Sequence, residues 1–564
     1  MSEKKKGGGA AGEALRYLRK RGIGEFAAHA VEKIRDKRFD YDRWIRSQEI
    51  SSARAGYQRS IDLKRMPAVF VMPIREGQGI DPETEKSISA QTWRSVALTD
   101  TLTTMIPDDA FLLCMRSGDL MPRNAVYELV LALQGGADCV YADEDQFTDS
   151  GKGTEKRYHT PLFKPDYNPD LLRSSNYIGR LLMVRVGLIR AFYREDGAAV
   201  PDAFNLSDPA SWYEFVLRCT DSAAAAGGTA HVPKVLLHAG EEDSAETDAC
   251  REERLKQVLS DDLRRRGLDG EVEDGPLPGT FHLKYGIEGE PLVSIVIPNK
   301  DNASVLENCI WSIRHRTSWK NLEIVIVENN SEEQATFDYY RSLREQGIAR
   351  VIEYGHPFNF SRIVNEGVRE AKGEYVVLMN NDVTVRTGDW IERLLAHCMR
   401  PEVGAAGPKL LFPDGKVQSA GIVVGLMGFA GSMMVGEDGE DPGYMGRASL
   451  VQDMSAVTAA CMMVRKSLFR QVGGFRPELA VALNDVDFCL KLTRSGWRVV
   501  YEPTAVMIHH ESLTRGQDDA GAKRKRFRQE QVLFKKKWSA FLKKGDPAYN
   551  PNLSRRKCDW SQQT

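Results

Sequence analysis

Three short polar motifs in the second half of the chain contain side chains suited to catalysis. They are Asn380-Asn381-Asp382, Asn484-Asp485-Val486-Asp487 and His509-His510-Glu511-Ser512, and each follows or ends an apolar, strand-like run. The carboxylate of Asp382 could hold a hard divalent cation such as Mg²⁺ or Mn²⁺, and His509 could complete the metal shell. Asp485 could act as a general base toward an incoming hydroxyl group. The order of the motifs predicts a metal-assisted transfer reaction.

Two further polar segments, Asn299-Lys300-Asp301 and Glu328-Asn329-Asn330-Ser331, also follow strand-like runs. Open α/β sheets bind ligands beyond the carboxyl ends of their strands, so these segments should converge with the motifs above. Glu328 and Asp301 could accept hydrogen bonds from a base and a ribose, and Arg515 could clamp a diphosphate. The set predicts a pocket for a nucleoside diphosphate whose developing charge a cation would offset.

Each of these residues also has a purely structural interpretation. A single Asp after a strand is more often a turn former or a helix N-cap than a metal ligand, and Asp485 could simply cap the helix that follows it. A single His at a strand end is usually a satisfied structural group, and Arg515 alone would be a solvated charge. The coincidence of order and spacing favours the catalytic interpretation of the whole set.

The composition bounds the class of protein. A chain of 564 residues is too long for one ordinary core, which predicts at least two domains, and a formal charge of −2 gives no overall field that would recruit nucleic acid. The nine cysteines contain no C-x-x-C pair, as expected of thiols in a reducing cytosol. Neither a signal peptide nor an apolar run of about 18 residues is present, so we expect a cytoplasmic protein, at most peripheral to a membrane.

An internal repeat relates the two halves of the chain. Strand-like runs at 68–73, 111–116 and 232–238 in the first half parallel runs at 292–298, 375–379 and 502–509 in the second. Between the second and third strands the second copy has a long insertion that the first copy lacks. The first copy also has Ser211-Trp212 where the second has Asn484-Asp485. The sequence therefore predicts two tandem, mainly parallel α/β domains, of which only the second keeps the residues for chemistry.

These patterns divide the chain into five segments. The sequence predicts a helical extension, a degenerate α/β domain, a helical segment with a linker, a catalytic domain and a tail. Their ranges are 1–65, 66–240, 241–290, 291–545 and 546–564.

Residues 291–516 resemble a family 2, inverting, GT-A fold glycosyltransferase. The resemblance is strongest to two-domain bacterial proteins of the rhamnosyltransferase-like or O-antigen biosynthesis type, and it extends to residues 141–179 in the first half. The matching motifs are Val293–Pro298, Val327–Ser331, Pro357–Ser361, Met379–Asp382, Val417–Gly421, Val457–Cys461, Val472–Phe475, Asn484–Cys489 and His509–Gly516.

The resemblance implies a role for each of several residues. Asp382 would close the D-x-D-type metal motif of the family, here lacking its first carboxylate, with His509 preferred to His510 as a further metal ligand. Asp485 would be the catalytic base, with Asn484 in place of the commoner Glu. The donor and its nucleotide would be bound by Pro298, Asp301, Glu328, Asn330, Asn359, Asn381 and Arg515.

The implied reaction moves a sugar from a UDP- or dTDP-sugar, with Mg²⁺ or Mn²⁺, onto a saccharide acceptor, which could be lipid-linked, in bacterial surface polysaccharide synthesis. A nucleotidyltransferase is disfavoured, because no basic, Gly-rich triphosphate loop follows the strand ending at Pro298. A catalytically inactive sugar-binding or scaffold subunit is the alternative, because two motif carboxylates are replaced by Asn. The oligomeric state stays open.

Two other features are predicted from charge alone. The cluster Asp143-Glu144-Asp145 is expected in a surface loop, with a cation or acceptor site as the alternative. The stretch from Lys523 to Lys544 carries ten Lys or Arg and one acidic residue, interleaved with apolar side chains. It could lie on anionic lipid or pack on the catalytic domain as a solvated helix.

Overall fold

Two β-sheets, one in each half of the chain, organise the protein. The structure is a computed structural model, and it describes residues 39–61, 67–75, 79–149, 155–195, 206–225, 227–240, 248–511 and 522–562. Helices cover both sheets, which confirms the prediction of α/β architecture in both halves. The helices that the sequence suggests before residue 39 lie outside the described residues, whereas two short helices occur between residues 41 and 60.

The first half builds a seven-stranded sheet in the order β2-β1-β3-β6-β4-β5, with β7 paired to β4. A separate hairpin, β8 and β9, and the helix α8 follow it. The strands are β1 (Val69–Ile74), β2 (Val96–Leu98), β3 (Phe111–Arg116), β4 (Cys139–Asp149), β5 (Lys156–Leu162), β6 (Leu182–Arg185), β7 (Thr229–Ala239), β8 (Gly270–Asp274) and β9 (Phe281–Tyr285). The helices are α1 (Tyr41–Ser47), α2 (Ser52–Ser60), α3 (Pro82–Ser89), α4 (Ala125–Leu133), α5 (Pro169–Ser174), α6 (Val186–Glu195), α7 (Pro209–Ala225) and α8 (Asp248–Arg265).

The second half builds a ten-stranded sheet whose main path is β12-β11-β10-β13-β20-β15-β21-β14. Its strands, together with a small hairpin of β17 and β18, are β10 (Val293–Asn299), β11 (Leu322–Glu328), β12 (Arg350–Glu353), β13 (Tyr375–Met379), β14 (Val383–Val385), β15 (Val403–Leu411), β16 (Val417–Ser419), β17 (Ile422–Val424), β18 (Ala430–Ser432), β19 (Gln452–Asp453), β20 (Cys461–Arg465) and β21 (Arg498–His509). The helices are α9 (Ala303–Arg316), α10 (Gln334–Glu345), α11 (Phe360–Glu370), α12 (Trp390–Met399), α13 (Lys466–Gln471), α14 (Asn484–Arg494), α15 (Ala522–Lys537) and α16 (Ser539–Lys544).

The two sheets share one topology, as the repeat in the sequence predicts. The path β2-β1-β3-β6-β4-β7 in the first half corresponds to β11-β10-β13-β20-β15-β21 in the second. In both, the first three strands are parallel and the next is antiparallel to its neighbours. The second sheet adds β12 at its edge, with α10 and α11 on either side of it in sequence. These elements account for the longer spacing between the repeated strands in the second copy.

Alternating burial along the strands fixes the layers of the second half. In β10, Val293, Ile295 and Ile297 enter one apolar cluster, whereas Val296 enters another on the opposite face. The first cluster is completed by α9, α10 and α12, and the second by α11 and α14. A sheet covered by helices on both faces exposes its binding loops at the carboxyl ends of its strands, where the candidate residues lie.

A buried ionic contact joins the two halves. Asp170 in α5 accepts hydrogen bonds from Arg400 at 2.7 Å and from Arg498 at 2.9 Å, and its side chain is 1% exposed. The C-terminal segment adds a second connection, since the carbonyl of Pro547 accepts the N–H of Asp166. A buried carboxylate requires charged partners, and those of Asp170 lie in the other half of the chain. The two halves therefore pack in one defined arrangement.

The acidic cluster of the first half is buried, so the prediction of a surface loop was wrong. All three carboxylates lie in β4 and are at most 5% exposed. Asp143 accepts hydrogen bonds from Asn550, Glu144 pairs with Lys164 at 3.0 Å, and Asp145 contacts His238 at 2.6 Å. These partners are distant in sequence, and their contacts with each carboxylate permit its burial.

Candidate active site

Asp382 and His509 meet at the edge of the second sheet. Asp382 lies in the turn between β13 and β14, and β14 pairs with β21 so that Val383 stands opposite His509. This register brings Nε2 of His509 to 3.0 Å from Oδ1 of Asp382, whose side chain is 6% exposed. His510, by contrast, has its ring beside Thr384. The structure therefore brings together the carboxylate and the imidazole that the sequence suggested as metal ligands.

Gln418 orients the imidazole of His509. Nδ1 of His509 lies 2.6 Å from Oε1 of Gln418, an acceptor, which places a proton on Nδ1 and turns Nε2 toward Asp382. Nε2 lies 3.0 Å from the carboxylate oxygen of Asp382 and 3.3 Å from the amide nitrogen of Asn380. Two electron-rich atoms this close favour a cation or a proton between them.

The donor set fits a divalent cation that takes further ligands from its substrate. Among the described residues, no group of three or more His, Cys, Asp and Glu side chains could hold a metal ion on its own. Magnesium commonly binds through one or two carboxylates together with substrate phosphates. Asp382 and His509 would supply the protein part of such a shell.

Asp485 lies in the first turn of α14, a helix that begins directly after Leu483, which has a left-handed backbone conformation. Its carboxylate is half-buried and accepts the N–H of Val486 at 2.8 Å and that of Ala459 at 3.2 Å. Burial raises the pKa of Asp485, against the lowering effect of these N–H groups. The contact with Ala459, in the loop before β20, links α14 to that loop, so Asp485 does more than cap its own helix, and its raised proton affinity suits a general base.

The short segment 458–460 links Asp485 to the loop that contains Asp382. The N–H of Asn380 donates to the carbonyl of Ala460 at 3.0 Å, while Asp485 accepts from Ala459 on the same segment. The three polar motifs therefore border one another at a single edge of the sheet. Asp487, which the sequence placed in the same motif, instead lies fully buried against Nε1 of Trp538 at 2.9 Å.

The two carboxylates predicted to bind the donor, Glu328 and Asp301, are each hydrogen-bonded to other groups of the protein. Glu328 accepts hydrogen bonds from the backbone and hydroxyl of Ser331, both at 2.6 Å, and from Tyr340 at 2.7 Å. Asp301 accepts two backbone N–H groups from the same loop. Both carboxylates thus brace the loops that follow β10 and β11, and their contact with a nucleotide stays a prediction.

The other described candidates are also held by contacts within the protein. Asn381 donates to Asn299 at 2.6 Å, which ties the loop of Asp382 to the end of β10 beside the half-buried Pro298. Asn330 donates to the carbonyl of His356 at 2.9 Å. Asn359 caps α11 and donates to the carbonyl of Pro477 at 2.8 Å. Arg515 lies outside the described residues.

Two contributors were missed from the sequence. Glu530 in α15 is 3% exposed and accepts the N–H groups of Val481 and Ala482, both at 3.1 Å, just before Asp485. Gln418 fixes the tautomer of His509. The sequence offers a clue to Glu530, because it is the one acidic residue in the basic stretch from Lys523 to Lys544.

Residues 294–473 match the family described as Glycosyl transferase family 2. This chain contains a glycosyl transferase family 2 domain. The match runs from β10 to α13 and includes Asp382, whereas Asp485 and His509 follow it in the sequence. The resemblance identified from the sequence motifs is confirmed.

Relatives of the family 2 domain protein agree with that resemblance. The chain is 35% identical over 463 residues to the uncharacterized protein y4gI of Sinorhizobium fredii, covering 80% of this chain and 49% of the relative. It is 34% identical over 451 residues to the O-antigen biosynthesis protein RfbC of Myxococcus xanthus, covering 77% and 33%. It thus spans about half and a third of the lengths of these relatives.

Another relative matches a shorter stretch of the chain. The N-acetylglucosaminyl-diphospho-decaprenol L-rhamnosyltransferase of Mycobacterium tuberculosis is 26% identical over 215 residues, covering 35% of this chain and 70% of that protein. The names of this relative and of the Myxococcus xanthus relative both refer to glycans. Among the described residues of this family 2 domain protein, no helix is long and apolar enough to cross a membrane.

Proposed function

We propose that residues 291–545 form an inverting glycosyltransferase that moves a sugar from a nucleoside-diphosphate donor to a saccharide acceptor. The observation that carries this proposal is the contact of Asp382 with His509 next to the segment that also holds Asp485. The family 2 match and the glycosyltransferase among its relatives support the reaction class.

In the proposed reaction, Asp485 takes the proton of an acceptor hydroxyl while the oxygen attacks the anomeric carbon of the donor. The bond from that carbon to the diphosphate breaks, and a single displacement inverts the anomeric centre. Asp382 and His509 would hold a divalent cation, Mg²⁺ or Mn²⁺, which offsets the charge that develops on the departing diphosphate. Asp487 is engaged by Trp538 and Arg476, so within its motif the base is Asp485.

The donor is proposed to be a UDP- or dTDP-sugar, and the product a bacterial surface polysaccharide of the O-antigen or capsule type. The names of two relatives, an O-antigen biosynthesis protein and a rhamnosyltransferase acting on a diphospho-decaprenol, support the class of product. Nucleotide release from UDP-, dTDP- and GDP-sugars, with and without Mn²⁺, tests it.

Release from one donor should require metal and should be lost in Asp382→Ala. Asp338→Ala, on the exposed face of α10, is the matched control and should behave as wild type. Release that persists in Asp382→Ala would contradict the assigned metal site. If no donor reacts with any acceptor fraction supplied, the inactive scaffold becomes the better assignment.

We also place the enzyme at the cytoplasmic face of the plasma membrane, where a lipid-linked acceptor would be accessible. Helix α15 packs on the domain through Glu530 and Phe534, while Val532 on its other side is 67% exposed. Exposed Lys and Arg side chains surround Val532: Arg524, Lys525, Arg528, Lys535 and Lys536. Apolar and basic groups on one face are typical of a surface that binds anionic lipid.

Flotation with anionic vesicles tests this surface. Wild-type protein should float at low salt, and Val532→Asp should reduce the floating fraction, whereas Val435→Asp, at another exposed valine, should not. Protein that stays at the bottom of the gradient at low salt would contradict membrane attachment without affecting the proposed chemistry.

A further inference from the structure

A cleft of about 500 Å³ lies at the carboxyl edge of the first sheet. It is bordered by the end of β3 and the start of α7, which correspond to β13 and α14 in the second half. Its walls include Arg116, Trp212 and Phe281. The cleft thus occupies, in the first half, the place that the candidate active site has in the second, and the proposed reaction does not use it.

A guanidinium takes the place of the metal in this half. Asp119 occupies the position after β3 that Asp382 occupies after β13, and it is 1% exposed. Nη1 of Arg180 lies 3.0 Å from Oδ1 of Asp119, and the N–H of Gly240 donates to the same oxygen. The carboxylate is therefore neutralised by the protein itself, which leaves a site without a role for a divalent cation.

The position of the base is also altered. Trp212 stands where the second copy has Asp485, and its Nε1 donates to the carbonyl of Gly179 at 2.8 Å. Gly179 has a φ of +79°, and a Cβ there would lie 2.3 Å from Oε1 of Glu144. Only glycine allows the backbone at residue 179 to approach the Glu144 side chain this closely, so the wall of the cleft is closely packed here. With no carboxylate at the position of the base, the cleft is suited to binding rather than transfer.

The polar lining favours an anion. Three guanidinium groups, those of Arg116, Arg180 and Arg251, face two carboxylates. Both carboxylates are engaged, because Glu144 pairs with Lys164 at 3.0 Å and Glu252 accepts the N–H of Gly279 at 2.9 Å.

Two lining groups have donor or acceptor capacity to spare within the described part of the chain. Arg251, in α8, makes no hydrogen bond or ion pair there. The buried Oδ1 of Asn176 has no hydrogen-bond partner there. Guanidinium groups bind phosphate and carboxylate through paired N–H donors, and an amide oxygen accepts from a sugar hydroxyl.

We propose that this cleft is a metal-independent binding site for the anionic end of a saccharide, a sugar that bears a phosphate or a carboxylate. Arg116 and Arg251 bind the oxyanion, and the sugar packs on the apolar wall that includes Leu162 and Phe281. The saccharide part of the assignment rests on the proposed function, whereas the oxyanion part rests on the cleft alone. A glycan held here would be the acceptor of the second domain or its growing chain.

Calorimetry on the full chain in EDTA tests the site with glucose 1-phosphate, glucuronate, pyrophosphate and glucose. The sugar phosphate or the sugar acid should bind, and which of them binds more tightly identifies the oxyanion. Arg251→Gln and Arg116→Gln should each weaken binding about tenfold or more, as expected for one charged hydrogen bond. Arg264→Gln, at an exposed position on the same helix, is the matched control and should bind as wild type.

Several results would overturn the proposal. They are binding of glucose as tight as that of the anions, binding that requires Mn²⁺, unchanged affinity in the folded double Arg variant, and no binding of any probe. Pyrophosphate binding without sugar-phosphate or sugar-acid binding would also contradict the saccharide assignment. Metal-dependent donor turnover, measured in parallel, reports on the second domain only, so the proposed function and this site can fail separately.

Discussion

The two halves of the protein share a sheet topology and differ in what neutralises one aspartate. In the second half Asp382 faces His509, an arrangement that suits an exchangeable cation, whereas in the first half Asp119 is bonded to the fixed guanidinium of Arg180. The base position differs in parallel, with Asp485 in one half and Trp212 in the other. One sheet topology can therefore carry different polar groups at matching positions, so the fold alone does not decide the chemistry of either half.

The strongest loss of turnover is expected on removal of the proposed base, Asp485. Asp485→Asn should lower turnover by about 10²–10⁴, because the amide cannot accept the proton of the acceptor, while donor affinity stays close to that of wild type. Trp212→Phe, at the matching position of the first half, should leave nucleotide release from the donor, measured without acceptor, unchanged. Steady-state kinetics with titrated donor measures both. Wild-type turnover in Asp485→Asn would remove this residue from the mechanism.

The second prediction concerns the buried contact between the two halves and its effect on unfolding. Arg400→Met leaves the buried carboxylate of Asp170 with only Arg498, which should cost about 3 kcal/mol of the free energy of unfolding. Because the lost contact lies between the halves, urea unfolding should also split into two transitions. Arg314→Met, on the exposed face of α9, is the control. A single transition at the wild-type midpoint would show that the contact does not couple the halves.

The third prediction concerns pH and the first half. Burial raises the pKa of Asp119 to about 6 despite the opposing effect of Arg180. A carboxyl whose pKa is higher in the folded protein binds more protons there, so it stabilises the fold at low pH and loses that contribution as the pH rises.

From Asp119, the free energy of unfolding should therefore fall by up to about 3 kcal/mol between roughly pH 4 and pH 6.5. Asp119→Asn should remove this part of the slope, and Asp100→Asn, at an exposed carboxylate, should not. Urea midpoints across that range measure it. An unchanged slope in Asp119→Asn would mean that this carboxyl titrates as an exposed one.

A smaller loss of turnover is expected from a change in α15, the helix that packs on the second half. Glu530→Gln replaces one of two acceptors for the N–H groups of Val481 and Ala482, so the turn before Asp485 should loosen. We expect turnover about tenfold lower, with the KM for donor and the pH profile unchanged, because the base itself is intact. The exposed neighbour Gln529→Ala is the control. A shifted pH profile would indicate a direct catalytic role for Glu530 instead.

The fold and the position of the motifs could be predicted because both depend on local patterns. Apolar runs ended by polar residues locate strands such as β10 and β13, and the order of strands follows from the repeat. The meeting of Asp382 with His509 could be anticipated for the same reason, since both follow strands of one sheet. Domain boundaries and residue roles go beyond such patterns and stay predictions.

Contacts between distant residues that do not follow from the order of strands could not be predicted. The sequence shows that Asp143 is charged but not that Asn550 and His231 lie beside it, so its burial was missed. Likewise, Glu328 has the residue type of a ligand-binding group, yet Tyr340 and Ser331 already occupy its carboxylate. Whether a polar side chain binds a ligand or its neighbours depends on packing, which a motif does not specify.

The contact between Asn550 and Asp143 has a consequence for synthesis on the ribosome. Asp143 belongs to the core of the first half, but the amide that satisfies its carboxylate is added 407 residues later. Nascent chains stalled before and after residue 550 would differ in protease resistance of the first half if this contact completes its core. The N-terminal half would then remain a client of chaperones until translation has nearly finished, and degradation could begin there whenever translation stops early.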